Sequence, residues 1–233
     1  MRDPVVEAYA LTPKGGAVLD VGCLGLRQHA LAGQLGRLDL RHSGTDVSAP
    51  EEPLPEGYVF RAADLDRESV PFPEDGFDLV VASHVLEHLR RPLEAVGDFV
   101  RVCRPGGLVY VEAPSERTLL LPGMPFDHDR FFSCSFFDDP THVSRPWTPQ
   151  SLHRLARYYG CAPLRVGYRY STRARLLFPL LVVRALLRRS GRLLESCIWE
   201  AVGWASFAVI RKPETVTGSP RFNYYIPQAR YGP

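Results

Sequence analysis

The chain is short of lysine. Lys14 and Lys212 are the only two among 28 basic residues, and with 26 acidic residues the net charge is +2. Without a lysine-rich patch or a strong positive balance there is little to attract a phosphate backbone, so nucleic acid is not the expected partner. The cysteines Cys23, Cys103, Cys134, Cys161 and Cys197 are odd in number and form no C-x-x-C pair. That excludes a regular disulfide framework and suits free thiols in a reducing, cytoplasmic setting. No apolar run is long enough to span a membrane, and Met-Arg-Asp-Pro at the start is followed by no signal-peptide core. The dinucleotide fingerprint G-x-G-x-x-G is also missing, which argues against a nicotinamide dehydrogenase.

What is present suffices for one medium domain with a real core: 233 residues, 45% hydrophobic and 23% charged. Short apolar runs alternate with helical spacing. Ala17–Cys23, His42–Val47, Tyr58–Ala63 and Phe77–Ala82 read as strands, with Leu26–Leu35 and Arg91–Val102 as helices. Pro105-Gly106-Gly107 reads as a turn before a strand over Leu108–Ala113. Thr148 is a natural N-cap with Pro149 at the first helical position, starting a helix to about Tyr159. Strands are expected again over Leu164–Tyr170 and Gly203–Ile210. The pattern predicts an α/β, Rossmann-like, doubly wound sheet, mostly parallel, with helices on both faces.

Two stretches depart from that rhythm. Residues 114–147 are rich in phenylalanine and aspartate, with His128 between Asp127 and Asp129, and read as a lid or substrate loop. Residues 173–195 are basic and apolar and read as a helical insertion. There Leu180, Val183, Leu186 and Leu187 share one face and Arg184, Arg188 and Arg192 another. Capping a substrate pocket, dimerisation and peripheral contact with an anionic membrane remain open for it. The domain is expected to run over 1–212, with 213–233 a tail carrying Tyr224, Tyr225 and Tyr231.

Ala17-Val-Leu-Asp-Val-Gly-Cys23, Gly44-Thr-Asp46, Ala63-Asp-Leu65, Phe77-Asp-Leu-Val-Val-Ala-Ser-His-Val-Leu-Glu-His88 and Arg104-Pro-Gly-Gly-Leu-Val-Tyr-Val111 follow in one order. The series resembles class I S-adenosylmethionine-dependent methyltransferases of the type 11/23 kind. The resemblance implies a seven-stranded sheet and a cofactor site of Asp20, Gly22, Cys23, Gly25, Asp46, Asp64, Leu65 and Ser83. In it Asp46 takes the ribose hydroxyls and Asp64 and Leu65 the adenine edge. The chain departs from the family's Asp-x-Gly-x-Gly-x-Gly turn, since Leu24 and Leu26 fill both later glycine positions. A side chain at position 24 would crowd the amino-acid end of the cofactor or shift the turn by one residue.

His84-Val-Leu-Glu87-His88 holds the candidate chemistry. If it opens a helix, positions 84, 87 and 88 share one face, where two imidazoles and a carboxylate can bind a divalent metal. The segment resembles the Glu-x-x-Glu-His helix of small-RNA 2′-O-methyltransferases and ubiquinone-pathway O-methyltransferases. The former also carry a histidine before a Trp-Thr-led helix, as His142 stands before Trp147-Thr148. The resemblance implies His84, Glu87, His88 and His142 as metal ligands, with histidine replacing a glutamate at 84. Without metal, His84 or His142 is the candidate general base, and a purely structural role stays open. The expected activity is O-methylation of a sugar, polyketide or phenolic hydroxyl on a small molecule. N-methylation and a degenerate, non-catalytic cofactor-binding or partner protein are the alternatives, the last resting on Leu24 and Leu26. A homodimer is left open.

Overall fold

The computed structural model describes residues 3–121, 125–127, 130–131 and 135–214. The chain opens with helix α1 (Pro4–Leu11), where Asp3 caps the Val5 N–H and Pro4 supplies the preset φ of a first turn. The spacing of apolar residues did not reveal α1, although Asp3-Pro4 is a helix-start signal. Strands β1 (Ala17–Val21), β2 (Arg41–Asp46), β3 (Val59–Ala62), β4 (Phe77–Ser83) and β5 (Cys103–Pro114) follow, with helix α2 (Arg27–Gln34) after β1 and α3 (Pro92–Val102) after β4. A two-strand ribbon, β6 (Pro125–Asp127) and β7 (Arg130–Phe131), precedes α4 (Pro149–Tyr158), β8 (Ala162–Arg169), α5 (Thr172–Leu176), α6 (Phe178–Leu187), α7 (Gly191–Val202) and β9 (Ala205–Arg211).

The main sheet has seven strands in the order β3-β2-β1-β4-β5-β9-β8. Strands β1 to β5 pair in parallel, whereas β9 runs antiparallel to both β5 and β8. Successive side chains of each strand enter opposite layers, as the period of two requires. Leu19, Val80, Val109 and Ile210 pack with Phe99 of α3 and Leu152 of α4 on one face. Val18, Leu79, Val81 and Tyr110 pack with Tyr9 of α1 and Ala32 of α2 on the other. The central strands are buried on both faces, which explains why their sequences read as unbroken apolar runs rather than alternating ones.

The expected turn at Pro105-Gly106-Gly107 lies inside β5. Phe77 pairs with Cys103 but Leu79 pairs with Leu108, so the segment bulges, with Gly106 at φ 75°. Lys212, one of the two lysines, is buried against the bulge and donates to the Cys103 carbonyl at 2.8 Å and to Asp75 at 2.7 Å. The helix from Thr148 and Pro149 forms as its cap predicts, Thr148 and Ser151 closing a capping box.

The ends of the 114–147 segment are pinned together: the Ser115 N–H donates to the Trp204 carbonyl at 2.7 Å and the Trp147 N–H to the Pro114 carbonyl at 2.8 Å. His128 and the 215–233 portion of the tail, with its tyrosines, lie outside the described residues. The insertion is three helices rather than one, with Pro179 in the first turn of α6. Its apolar row faces outward, Leu180 being 69% and Leu187 80% exposed. Among the described residues no helix is long and apolar enough to cross a membrane. Cys23, Cys103, Cys161 and Cys197 are free thiols.

His42 on β2 carries a cost. It is buried, neither ring nitrogen has a hydrogen-bond partner among the described residues, and burial beside His29 depresses its pKa to about 4. The native state therefore refuses a proton that the unfolded chain accepts, and stability present above pH 6.5 is lost as the pH falls towards 4. The upper bound of that loss is about 3 kcal/mol. In urea titrations between pH 7 and pH 4, His42→Phe is expected to lose less stability than the unsubstituted chain; equal slopes would show that His42 does not titrate in this way.

Candidate active site

The carboxyl ends of β1, β2 and β4 open into a cavity of about 460 Å³. This is where an open parallel sheet leaves a crevice. Asp20, Gly22, Asp46, Asp64, Leu65 and Ser83 border it, as the sequence led one to expect. Cys23 and Gly25 do not. The Cys23 side chain is fully buried, and burial lifts its thiol pKa to about 12. Arg27, Gln28, Thr45, Asp66 and Val85 also line the cavity; Thr45 and Val85 stand inside the quoted motifs without being singled out, and the other three stand outside them.

The turn after β1 keeps its left-handed geometry without two of the usual glycines. Gly22 and Gly25 have φ of 78° and 73°, and Leu26 itself is held at φ 47°. Leucine in that conformation costs about 1–2 kcal/mol, offset by burial of its side chain to 9% exposure. Leu24 lies half-exposed along the cavity wall. Gly22 has no such latitude, because a Cβ there would lie 2.6 Å from Val85 Cγ2.

The cavity is acidic. Asp20 is 4% exposed, and burial drives its pKa well up, with the nearby Asp46 charge adding to the effect and a backbone hydrogen bond from Gln28 opposing it. Asp46 accepts from the Val47 N–H at 2.8 Å and borders the cavity. Asp66 accepts from the Arg90 N–H at 2.8 Å, tying the loop after β3 to the loop after β4.

His84 does not begin a helix. It sits just beyond β4 at φ 57°, and a short 3-10 turn covers Leu86–His88. Its Nδ1 meets Glu87 Oε1 and its Nε2 meets Glu112 Oε1, each at 3.1 Å. Burial disfavours charge on the ring, but the two carboxylates outweigh it and raise the pKa to about 9. His84 is thus an imidazolium donating both N–H groups. Both of its ring nitrogens are taken up by carboxylates, and the group of side chains that could hold a metal is Glu87, His88 and His142, without His84. Glu112 is fully buried; burial opposes its charge, yet His84, Arg169 and the Tyr110 hydroxyl hold its pKa down to about 2. Arg169 Nη1 reaches Glu112 at 2.9 Å and Nη2 reaches Asp3 at 2.9 Å. This line of alternating charge reaches a second cavity of about 600 Å³, walled by Tyr168, Arg169, Trp199 and Trp204, which His84 shares with the first.

Glu87, His88 and His142 do come together, with one potential ligand atom each and all within 4.8 Å of one another. The Val143 and Ser144 N–H groups both donate to the Glu87 carbonyl at 3.0 Å, which holds His142 beside the 3-10 turn. His142 Nδ1 donates to the Phe136 carbonyl at 2.7 Å. His88 Nδ1 donates to Thr141 Oγ1 at 3.0 Å, and that hydroxyl donates to Asp139 at 2.6 Å. Both rings are thereby held through Nδ1, as a metal-binding imidazole requires, and His142 Nε2 also lies 3.8 Å from an Asp139 oxygen. Glu87 is 1% exposed and its Oε2 has no hydrogen-bond partner among the described residues. His142 does not border the cavity at the ends of β1, β2 and β4, whereas His88 does.

Comparison with known proteins agrees with this architecture. A family model described as a methyltransferase domain matches residues 1–166. The ubiquinone/menaquinone biosynthesis C-methyltransferase of Nitrosospira multiformis is 31% identical over 96 residues. That match spans 41% of this chain and 39% of the relative. A structure of an S-adenosylmethionine-dependent methyltransferase from Mesorhizobium loti superposes with a TM-score of 0.61 at 17% identity, over 90% of this chain and 96% of the other. Phosphoethanolamine N-methyltransferase 2 of Haemonchus contortus, in complex with S-adenosyl-L-methionine, gives 0.59 at 13% identity, over 90% and 51%. Those structural likenesses establish the fold, and the family match over most of the chain establishes the kinship: this protein belongs to the class I S-adenosylmethionine-dependent methyltransferase family.

Proposed function

We propose that the protein transfers a methyl group from S-adenosylmethionine to a hydroxyl oxygen of a small molecule. The observation that carries the cofactor reading is the acidic cavity at the carboxyl ends of β1, β2 and β4. Its ligand should be cationic, and the sulfonium and ammonium of S-adenosylmethionine would offset the cost of the buried Asp20 carboxyl. Asp46, at the end of β2, would accept both ribose hydroxyls. Asp64 and Leu65 would face the adenine edge, with Ser83 near the methionine end. In the reaction the acceptor oxygen attacks the methyl carbon, the C–S bond breaks, and the hydroxyl proton leaves. Loss of the sulfonium charge releases a neutral thioether.

Oxygen rather than carbon or nitrogen is favoured by the cluster at Glu87, His88 and His142. A buried carboxylate with an unpaired oxygen beside two pre-oriented imidazoles fits a divalent cation. Two nitrogens and a carboxylate suit Zn²⁺, Fe²⁺ or Mn²⁺ better than Mg²⁺. Such an ion, when bound, supplies Lewis acidity that lowers the pKa of a neighbouring hydroxyl. The chain's own part is positional. His84 holds one oxygen of Glu87 and leaves the other unpaired among the described residues, and the Thr141–Asp139 pair fixes the His88 ring.

Calorimetry should show S-adenosylmethionine binding, weakened about tenfold or more in Asp46→Ala, as loss of a charged hydrogen-bond acceptor would cause. No binding by the unsubstituted chain would favour the degenerate, non-catalytic alternative. Elemental analysis after dialysis against Zn²⁺ or Mn²⁺ should find one ion per chain, absent in His88→Ala, whose side chain is exposed and whose loss the fold should tolerate. An identical metal content in His88→Ala would overturn the metal assignment.

A further inference from the structure

The insertion between β8 and β9 carries a surface the methyl-transfer reading does not use. Leu180, Val183 and Leu187 of α6 form a row at helical spacing, and all are exposed, 53% at Val183 and 80% at Leu187. Leu176 of α5 at 78% and Leu186 at 45% extend it. The opposite side of α6 is satisfied, since Ala185 and Val182 pack on Leu194 and Trp199 of α7. The exposed row is therefore not a core face seen from outside.

Arginines flank it: Arg173, Arg175, Arg184, Arg188, Arg189 and Arg192, with no acidic residue between positions 172 and 194. Of these, Arg175 is occupied by the Ala201 carbonyl and the Tyr170 ring, while none of the other five has an ion pair among the described residues.

Charge decides what covers this face. A second copy brought up by a twofold axis would set arginine against arginine. The segment 215–233 contains Arg221 and Arg230 and no acidic residue, so it is repelled too. An RNA would satisfy the arginines and leave the leucines in water. An anionic lipid surface satisfies both, taking the leucine row at the acyl boundary and the guanidinium groups among the headgroups. We propose that α5 and α6 dock the protein peripherally on an anionic membrane. The docking face adjoins the second cavity, because Ser171, Thr172 and Arg173 line its wall. That cavity's mouth would then stand near the bilayer.

Vesicle co-sedimentation of the full chain tests this without any methyl transfer, so its outcome is independent of the cofactor reading. The unsubstituted protein is expected to pellet with vesicles of mixed phosphatidylcholine and phosphatidylglycerol and not with phosphatidylcholine alone. Arg184→Glu/Arg188→Glu/Arg189→Glu and, separately, Leu180→Ser/Leu187→Ser should each lower binding about tenfold. Their circular dichroism and cofactor affinity should be unchanged, since every substituted side chain is exposed. Three results would overturn the proposal: no binding to anionic vesicles, undiminished binding by the leucine variant, or a solution dimer that Leu180→Ser/Leu187→Ser converts to monomer.

Discussion

One line of alternating charge, buried at Glu112 and Glu87 and open to solvent at Arg169, organises the functional end of this molecule. Asp3, Arg169, Glu112, His84 and Glu87 alternate in sign and touch in sequence, from the N-terminal cap of α1 through the end of β8 to the turn after β4. Burying charges is costly unless each is paired and hydrogen-bonded, and here every interior member has a partner on both sides. The unpaired site is at the far end, the Glu87 Oε2, where the chain of alternation calls for one more positive charge. His88 and His142 converge at that place, and it lies beside the cavity assigned to the cofactor.

The same line explains features that would otherwise look unrelated. His84 keeps a left-handed backbone while its ring is held by carboxylates from the 3-10 turn and from β5. Helix α1 is fixed to the far edge of the sheet by Arg169 on Asp3, and by Arg165 on Glu7. His84 forms a common wall between the two cavities, so a ligand in either one acts on the same imidazolium. The helical insertion packs over the second cavity through Trp199 and leaves its leucine row outward. A methyl acceptor approaching from a membrane would enter on that side.

Much of the fold was legible in the sequence because it rests on local pattern. Buried parallel strands read as apolar runs, and Thr148-Pro149 announces α4 by capping chemistry alone. The gathering of Asp20, Asp46 and Asp64 at one cavity was legible through the resemblance, whose motifs place each at or just beyond a strand end. The site was not legible where a contact spans the chain. Nothing near His84 in sequence announces that Glu112 will occupy its Nε2, nor that Arg169 will back Glu112 from 57 residues away. Reading His84 as one face of a helix with Glu87 and His88 failed because the backbone turns left-handed at that residue. His142 could be paired with His88 only through a resemblance, since a turn from Asp139 to Ser144 brings it there. The apolar row of the insertion was visible, but its direction was not, because periodicity shows that a face exists and not what it meets.

The central claim is that the acidic cavity receives S-adenosylmethionine next to a cation site at Glu87, His88 and His142. A crystal structure with S-adenosylhomocysteine and Mn²⁺, using anomalous scattering to locate the metal, tests it most directly. The account predicts the ribose hydroxyls on Asp46 and an anomalous peak among Glu87, His88 and His142, with His84 still held between its two carboxylates. A nucleoside seated elsewhere, or a metal bound by His84, would contradict it.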